Sequence, residues 1–303
     1  MTEDSRSWAD AGLSAEVREA LVSGMPASRL WSVLLGVLEA RAKGRTAASL
    51  NEQWRKDRFV QPCYVDQRSL HEVEGHLLAA ASAFDAVELS PLAPLGVCSS
   101  VALASQNKIV STARGTEVVS DPTNVLALEC AKRLKENSDL TVRLATSHRC
   151  VRAQVFPNQN GFAAHFRIFC LASAGHEREN REFLSSALAE HINTHLSALE
   201  RLAQHGYLTQ DPKVRLLATE RNSQLAAHVA SSVNANIQHQ ALEHNYYDGI
   251  RFMIDLRTPE GAEVPLSDGG AFNWLHKLGS NGKLTLVASG MGSQLIAYLW
   301  RPR

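Results

Sequence analysis

The sequence predicts an α+β protein in which a mostly antiparallel sheet is flanked by helices and preceded by a helical N-terminal region. Apolar residues recur at helical spacing through roughly the first 80 residues. Short β-prone runs separated by Pro and Gly follow them. Consecutive strands are joined by hairpin-type turn signals, which favours antiparallel pairing over βαβ winding. We therefore divide the chain into a helical region, residues 1–82, and a sheet-containing domain, residues 83–303.

The N-terminal region is predicted to be a succession of amphipathic helices. An apolar stripe runs from Leu21 to Leu38 within residues 14–43, and the Gly and Pro at 24–26 divide it into two helices. The polar and basic stretch 45–68 predicts a further helix followed by a loop. At 69–84 the spacing of the apolar residues predicts another helix.

The rest of the chain mixes helices and strands. The runs VRLATSHRCVRAQVF and AAHFRIFCLASAG, joined by PNQNG, predict a β-hairpin, and IRFMIDL predicts a further strand. The last segment, KLTLVASGMGSQLIAYLW, predicts a strand, a glycine turn and a short helix or strand. Helices are predicted at 123–137, 177–205 (the longest) and 212–241.

Composition excludes several classes of protein. The 303 residues include 31 basic and 31 acidic side chains, a balance that gives no electrostatic reason to expect a nucleic-acid partner. The N-terminus lacks the basic and apolar pattern of a signal peptide, and no apolar stretch is long enough to span a membrane. The five cysteines are widely spread without a C-x-x-C pair, so we expect reduced thiols, no structural zinc and a cytoplasmic location.

The segment 244–275 contains the main candidates for ligand binding. Tyr246, Tyr247 and Asp248 precede a strand whose alternation puts Ile250, Phe252, Ile254 and Leu256 on a core face. Arg251, Met253 and Asp255 point to the other face, which either lines a pocket or meets water. Gly269, Gly270, Gly290 and Gly292 lie in β-structure, where a glycine marks a bulge or the close approach of a ligand or backbone; the alternative is that they only serve turns.

The order of these features resembles the catalytic core of class II aminoacyl-tRNA synthetases. The histidyl branch, which includes the regulatory subunit of ATP phosphoribosyltransferase, is the most similar. Its signature RGLDYYTG is matched by LEHNYYDG at 242–249, its GGRYD by GGAFN at 269–273, and class II motif 3, GxGxGxER, by GMGSQLIA at 290–297. In motif 2, Arg-x-Glu is matched by Arg152, Ala153 and Gln154, while His165 and Phe169 match the return strand. The resemblance covers roughly residues 80–300.

Departures from the family pattern disfavour ordinary ATP-dependent activation of an amino acid. The motif 3 arginine falls at Ala297 or nearby, and the histidyl catalytic arginine falls at Leu242. Arg152 survives in motif 2, but Gln154 replaces the carboxylate. Neither alanine nor leucine supplies the bidentate guanidinium that neutralises phosphates. The chain also ends a few residues after motif 3, so we expect no anticodon-binding domain and no tRNA charging.

The resemblance also suggests where a ligand would bind. Tyr246, Tyr247 and Asp248 would form one wall, Arg152 the cationic side, and Asn273 with the backbone of Gly269 and Gly270 the floor. A polar segment occupies the place of the family's amino-acid-binding segment, and either it lines the pocket or Asp121 and Thr123 only cap the following helix. The full predicted set is Arg114, Glu117, Asp121, Thr123, Arg152, Gln154, Tyr246, Tyr247, Asp248, Gly269, Gly270, Asn273, Gly290 and Gly292.

We expect a synthetase paralogue that binds a small polar ligand, an amino acid or a nucleotide, in a regulatory role. The resemblance implies a homodimer built by motif 1 and allows a protein partner. Two alternatives remain open: an ATP-dependent enzyme that activates an amino acid for an acceptor other than tRNA, and a non-catalytic interaction protein. No cofactor is certain, and ATP with Mg is the one that the resemblance allows.

Other candidates are weaker, and no metal site is predicted. His191 and His195 lie at i and i+4 on a helix, as a metal pair would need, but no third ligand is evident and a solvated helix face is the favoured interpretation. The same applies to His71, Glu72 and His76. Cys98 has no base near it in sequence, so we expect a buried thiol.

Overall fold

An eight-stranded sheet forms the centre of the protein. The computed structural model describes residues 11–102, 104–154, 163–244, 246–280 and 282–302. The strand order is β1-β4-β5-β10-β9-β8-β6-β7, and β2 and β3 form a separate small sheet. The strands are β1 Asp85–Ala86, β2 Leu92–Pro94, β3 Thr116–Val118, β4 Val142–Val151, β5 His165–His176, β6 Lys213–Ala218, β7 Ile237–Ala241, β8 Ile250–Arg257, β9 Glu263–Phe272 and β10 Leu284–Met291.

Helices flank this sheet and precede it. We number the described α-helices α1 Ala15–Glu19, α2 Ala27–Lys43, α3 Ala47–Lys56, α4 Gln67–Ala80, α5 Val97–Val101, α6 Pro122–Glu136, α7 Glu182–Gln204, α8 Ser223–Ser231, α9 Trp274–Lys277 and α10 Ser293–Leu299. A π-helical turn, Ala20–Gly24, continues α1. None of the described helices combines the length and the hydropathy that crossing a bilayer requires.

Strand pairing confirms the predicted α+β class with a mostly antiparallel sheet. All the neighbouring strands of the large sheet pair antiparallel except β1 with β4 and β6 with β7. The predicted hairpin is β4 and β5, which pair from Val142 opposite Ala174 to Val151 opposite His165. Its predicted turn, PNQNG at 157–161, lies outside the described residues. The C-terminal strand and short helix are β10 and α10.

The helix predicted at 212–241 is wrong. This stretch forms β6, α8 and β7, which make one parallel crossover unit at the edge of the sheet. In β6 the fully buried Val214 and Leu216 alternate with the half-buried Arg215 and Leu217, which is the period of a strand. Pairing with β8 therefore overrides the helical spacing of the apolar residues, which local pattern alone does not reveal.

Two apolar clusters cover the two faces of the sheet. The first cluster lies between the sheet and helices α4, α7 and α10, and the second lies between the sheet and α5, α6 and α9. In β10 the alternation is clear, because Val287 and Met291 belong to the first cluster whereas Leu286 and Ala288 belong to the second. Helix α7 contributes an apolar stripe that includes Phe183, Leu188, Ile192 and Leu199.

The N-terminal helices differ in how they contact the rest of the protein. Helices α1, α2 and α3 contain no buried residue, although Trp31 lies against Gly115, where an added Cβ would be 3.3 Å from the indole. Helix α4, in contrast, buries Leu70, Val73 and Leu77 in the first cluster. The helix just before the predicted boundary at residue 82 therefore packs as part of the core.

Candidate functional site

A cavity of about 520 Å³ lies on the face of the sheet that carries the second apolar cluster. The central strands β5, β8, β9 and β10 form its floor, and the residues around 121, 152 and 246 form its sides. Polar and aromatic side chains converge on it, among them Arg152, Tyr247, Arg251, Asp268 and Phe272. Its size is that of a pocket for a small molecule.

Asp268 is the centre of the hydrogen bonds on the floor. Its Oδ1 accepts from the hydroxyl of Tyr247 and from Nε of Arg251, both at 2.8 Å, and its Oδ2 accepts from Nη2 of Arg251 at 2.5 Å. Burial raises the pKa of the Tyr247 phenol, and the Asp268 charge and hydrogen bond raise it further. Tyr247 therefore stays a neutral donor whose orientation is fixed by the carboxylate.

Arg152 forms the cationic side of the cavity and is held only loosely. Its Nε donates to the carbonyl of Ser120 at 3.1 Å, and its Nη2 lies 3.8 Å from Oδ2 of Asp121. The guanidinium carbon lies 5.0 Å from the ring centroid of Phe166, within the range of a cation–π contact. Because the contact with Asp121 exceeds hydrogen-bond length, the guanidinium retains donors for a ligand.

Asp121 both caps the following helix and lines the cavity, the two roles between which the sequence left the choice open. It is the N-cap of α6, since its Oδ1 accepts from the backbone N–H of Thr123 at 3.0 Å and from the Thr123 hydroxyl at 2.7 Å. Both residues also line the cavity. The cap fixes the carboxylate beside Arg152, so helix capping and cavity shape depend on one side chain.

Aromatic rings form another part of the wall. Tyr246 meets Tyr247 edge-on at 5.0 Å and Phe272 edge-on at 5.6 Å, and Phe272 stacks on Trp274 at 3.8 Å between centroids. Tyr246 keeps 43% of its surface exposed, whereas Trp274 is buried behind Phe272. The rings provide an apolar surface next to the charged floor.

The strand glycines allow close packing of the protein against itself. A Cβ on Gly270 would lie 2.4 Å from the carbonyl oxygen of Ile250 and 2.6 Å from Cδ1 of Tyr247. A Cβ on Gly290 would lie 2.7 Å from Cδ1 of Ile168. Both glycines lie inside strands and not in turns. They allow neighbouring protein atoms to approach the backbone closely, which is one of the two interpretations of the sequence.

The structure brings one group of the predicted ligand-binding residues together. The cavity wall includes Asp121, Thr123, Arg152, Tyr246, Tyr247, Gly269, Gly290 and Gly292. These residues come from five separate parts of the chain, as the resemblance implied. That they bind a ligand stays a prediction.

The other predicted residues lie away from the cavity wall. Glu117 is buried, and its carboxylate accepts from the backbone N–H groups of Gly96 and Cys98 at 2.8 and 3.1 Å, so it anchors the start of α5. Arg114 and Asp248 are exposed in turns. The remaining ones are Gln154, Gly270, which lies beneath Tyr247, and Asn273, which is exposed at the start of α9.

Motif 3 needs a correction. Ala297, the position assigned to the missing arginine, is buried in the first apolar cluster. Gln294 and Leu295 are the residues that α10 presents to the cavity. Leu242, assigned to the missing histidyl arginine, is also buried and does not line the cavity. A helix turns about 100° per residue, so a small error in alignment changes the side that a residue faces.

Sequence reasoning missed Phe166, Arg167 and Asp268, which all line the cavity. It placed Arg251, Met253 and Asp255 on the non-core face of β8 correctly, and the first two line the cavity. Asp255 lies beyond Met253 on the same face and outside the cavity wall, where its carboxylate pairs with Arg215 on β6. The sequence did contain a signal for Asp268. It lies two residues before Gly270 on β9, and positions two apart on a strand share one face of the sheet.

His191 and His195 are buried, so the solvated helix face that the sequence favoured is wrong. Both are fully buried, and each ring bonds the hydroxyl of Ser289 at 2.9 Å, while His191 also bonds Ser173 at 3.0 Å. Burial lowers the pKa of both rings, that of His195 to about 3. Among the described residues no group of three or more metal-ligating side chains gathers. Cys98 is buried, as expected, and all five thiols are free.

Comparison with known proteins identifies the fold. No family model matches the sequence, and no curated protein does. An ATP phosphoribosyltransferase regulatory subunit/histidyl-tRNA synthetase from Bacillus halodurans C superposes with a TM-score of 0.58 at 16% identity, over 80% of this chain and 82% of that one. A histidine–tRNA ligase subunit from Alicyclobacillus acidocaldarius gives 0.57 at 13% identity, over 79% and 95%.

A longer protein shares the same fold. The apo histidyl-tRNA synthetase of S. aureus gives a TM-score of 0.56 at 12% identity, over 76% of this chain and 64% of the synthetase. The present chain thus spans about two thirds of the length of that enzyme. These similarities confirm a class II synthetase-like fold.

Proposed function

We propose that this chain is a synthetase-like paralogue that binds a free amino acid in the cavity and acts as a regulatory protein without charging tRNA. The observation that carries the proposal is the presence of Arg152 and the Tyr247–Asp268 pair in one cavity. A carboxylate suits the donors of a guanidinium, and an ammonium group suits a carboxylate with a phenolic oxygen beside it.

The charge balance of the cavity supports a zwitterionic ligand. Arg251 is bound in a bidentate pair to Asp268, and Arg152 faces Asp121. Arg167 pairs with Glu74, which lies behind the hairpin, at 3.1 Å. Each arginine of the wall therefore has a carboxylate nearby. A ligand with one positive and one negative group complements this arrangement better than a polyanion, which would compete with every one of those carboxylates.

The residues near α10 fit ATP poorly. Gln294 and Leu295 present an amide and an isobutyl group to the cavity, and the helix Ser293–Leu299 contains no cationic side chain. Transfer of a phosphoryl or adenylyl group depends on cations that stabilise the developing charge. We therefore derive no ATP-dependent step for this protein.

A protein partner is part of the proposal. One structural neighbour bears the name ATP phosphoribosyltransferase regulatory subunit/histidyl-tRNA synthetase. A protein with this fold is thus named as a regulatory subunit of another enzyme. The N-terminal helices expose apolar side chains, among them Val37 at 53%, Leu38 at 56% and Trp54 at 53%. A homodimer and a cytoplasmic location, both expected from the sequence, belong to the same proposal.

Native mass spectrometry of the purified protein tests this function, together with pyrophosphate exchange. We expect a co-purifying amino acid whose mass is lost from the complex in Arg152→Gln, and no ATP–pyrophosphate exchange above background. The retained Arg152 favours the alternative, an enzyme that activates an amino acid. Exchange that depends on an added amino acid would establish that alternative.

A further inference from the structure

A second cavity of about 410 Å³ lies beside the hairpin β4–β5, between it and the chain segment 62–74. The residues with ionisable side chains in its lining are Cys63, His71, Glu74, Arg149, His165 and Arg167. Arg167 lines both cavities, so the two are neighbours with one shared side chain. Nothing in the function proposed above uses this second cavity.

Two arginines of this cavity are direct cross-strand partners. Arg149 on β4 lies opposite Arg167 on β5. Like charges in directly opposed positions destabilise a strand pair unless an anion compensates them. Glu74, a buried residue of α4, lies 3.1 Å from Nε of Arg167 and accepts a 2.6 Å hydrogen bond from Ser147. Of the two opposed guanidinium groups, Glu74 therefore pairs only with that of Arg167.

Arg149 makes contacts only with neutral groups. Its Nη1 donates to Nδ1 of His165 at 2.9 Å and, more weakly, to Oε1 of Gln294 at 3.4 Å. No carboxylate lies within 4 Å of it in the part of the chain that the structure describes, and its Nε and Nη2 donate to no acceptor there. A guanidinium has five donors in a planar fork, so most of its hydrogen-bonding capacity is unused.

His165 does not neutralise this charge. Arginine has donors only, so Nδ1 of His165 must accept from Arg149, and the ring hydrogen lies on Nε2. That hydrogen is donated to the carbonyl of Gln61 at 2.7 Å. The imidazole thus ties the segment before α4 to the hairpin and holds Arg149 in place at the cavity wall.

We propose that the second cavity binds an oxyanion, the phosphate or carboxylate group of a small molecule, between Arg149 and Arg167. The anion would accept from the unused donors of Arg149 and compensate the opposed like charges, which Glu74 does only for Arg167. Bidentate binding of phosphate and carboxylate is what the guanidinium fork favours. The site is distinct from the proposed amino-acid site, although Arg167 connects the two.

Labelling of Cys63 tests the proposal on the wild-type protein. Cys63 lines the second cavity, and the other four cysteines are buried, so a maleimide should react with Cys63 first. We expect inorganic phosphate, acetate or both to slow this reaction in a saturable manner, relative to sodium chloride of equal ionic strength. Whichever ion protects identifies the preferred group. Protection by neither ion would overturn the proposal.

Matched variants locate the anion, with titration calorimetry as the readout. Arg149→Gln should weaken binding of the protecting ion about tenfold or more, because it removes the charged hydrogen bonds to the anion. Arg143→Gln on the same strand, whose partner is Glu190, should change it less than about twofold. Loss of binding in Arg152→Gln with retention in Arg149→Gln would contradict the assignment.

A variant of opposite expected sign guards against simple misfolding. Glu74→Gln removes the competing carboxylate, so the ion should bind more tightly to the variant than to the wild type. Adding the ion should therefore raise the thermal midpoint of the variant more than that of the wild type. Weaker binding in a folded Glu74→Gln protein would also overturn the proposal.

Discussion

Asp268 and Arg251 form a bidentate ion pair across β8 and β9, with the Tyr247 hydroxyl bonded to the same carboxylate. The pair is diagonal, since Asp268 lies opposite Met253 and Arg251 lies opposite Gly270. The carboxylate therefore fixes both a cation and a phenol at the floor of the first cavity. In the proposed function, the phenolic oxygen of Tyr247 and the remaining lone pairs of this carboxylate accept from the ammonium group of the amino acid.

Removing this charge should change the titration of Tyr247. Asp268→Asn eliminates the anion that raises the pKa of the phenol, so that pKa should fall, although burial keeps it above the ordinary value. Spectrophotometric titration of the tyrosines in alkali measures the change. Tyr247→Phe serves as the control that identifies the shifted component. An unchanged titration curve in Asp268→Asn would show that the carboxylate does not govern Tyr247.

Gly270 should tolerate no side chain. Gly270→Ala places a methyl group against the backbone of Ile250 and the ring of Tyr247, so we expect a loss of about 1–3 kcal/mol in the free energy of unfolding. The matched control is Gly75→Ala on the core-packed helix α4, where nothing lies within 4 Å, and it should gain about 0.5–1 kcal/mol. Urea denaturation compares the two, and equal effects would refute the packing argument.

The buried histidines predict that acid destabilises the protein. The pKa of His195 is about 3 in the folded state, against an ordinary 6.5, so the unfolded state binds more protons between those values. Stability from this group is complete above pH 6.5 and decreases as the pH falls, by up to about 1.4 kcal/mol per pH unit.

Paired variants isolate this contribution. His195→Gln should flatten the dependence of the unfolding free energy on pH below 6.5 relative to the wild type. His228→Gln, at an exposed position of α8, should leave the slope unchanged. Denaturant titrations at several pH values measure both slopes, and parallel profiles for all three proteins would rule out His195 as the source.

The N-terminal helices should be separable from the sheet. Deletion of residues 1–56 removes α1, α2 and α3, which contain no buried residue, so the free energy of unfolding in urea should change by less than about 1 kcal/mol. Leu77→Ala in α4 should cost about 2–4 kcal/mol, because Leu77 is fully buried in the first cluster. A large loss on deletion would mean that the contact of Trp31 with Gly115 is structurally essential.

The sequence predicted those parts of the fold whose local pattern agrees with their environment. The alternation of IRFMIDL placed Phe252 in the core and Arg251 at the cavity, and turn signals predicted the hairpin β4–β5. The pattern failed where long-range pairing decides the structure. Strands β6 and β7 form a parallel pair with each other, and the apolar residues of 212–241 also satisfy helical spacing.

The site was predictable to a similar extent. Residues next to a recognisable motif, such as Arg152 and Tyr247, were placed in the cavity. Glu117 was misplaced because a polar residue near a motif can equally anchor backbone N–H groups, as it does at α5. Arg167 was missed because only the register of the hairpin shows that it faces Arg149.

Isothermal titration of the wild-type protein with the free amino acids, with and without ATP, tests the central claim most directly. We predict that an amino acid binds in the absence of ATP, and that Arg152→Gln and Asp268→Asn each weaken it by about tenfold or more. ATP alone should give no binding heat. Binding of the amino acid only in the presence of ATP would contradict the account in favour of an activating enzyme, and the absence of any binding would contradict it in favour of an interaction protein.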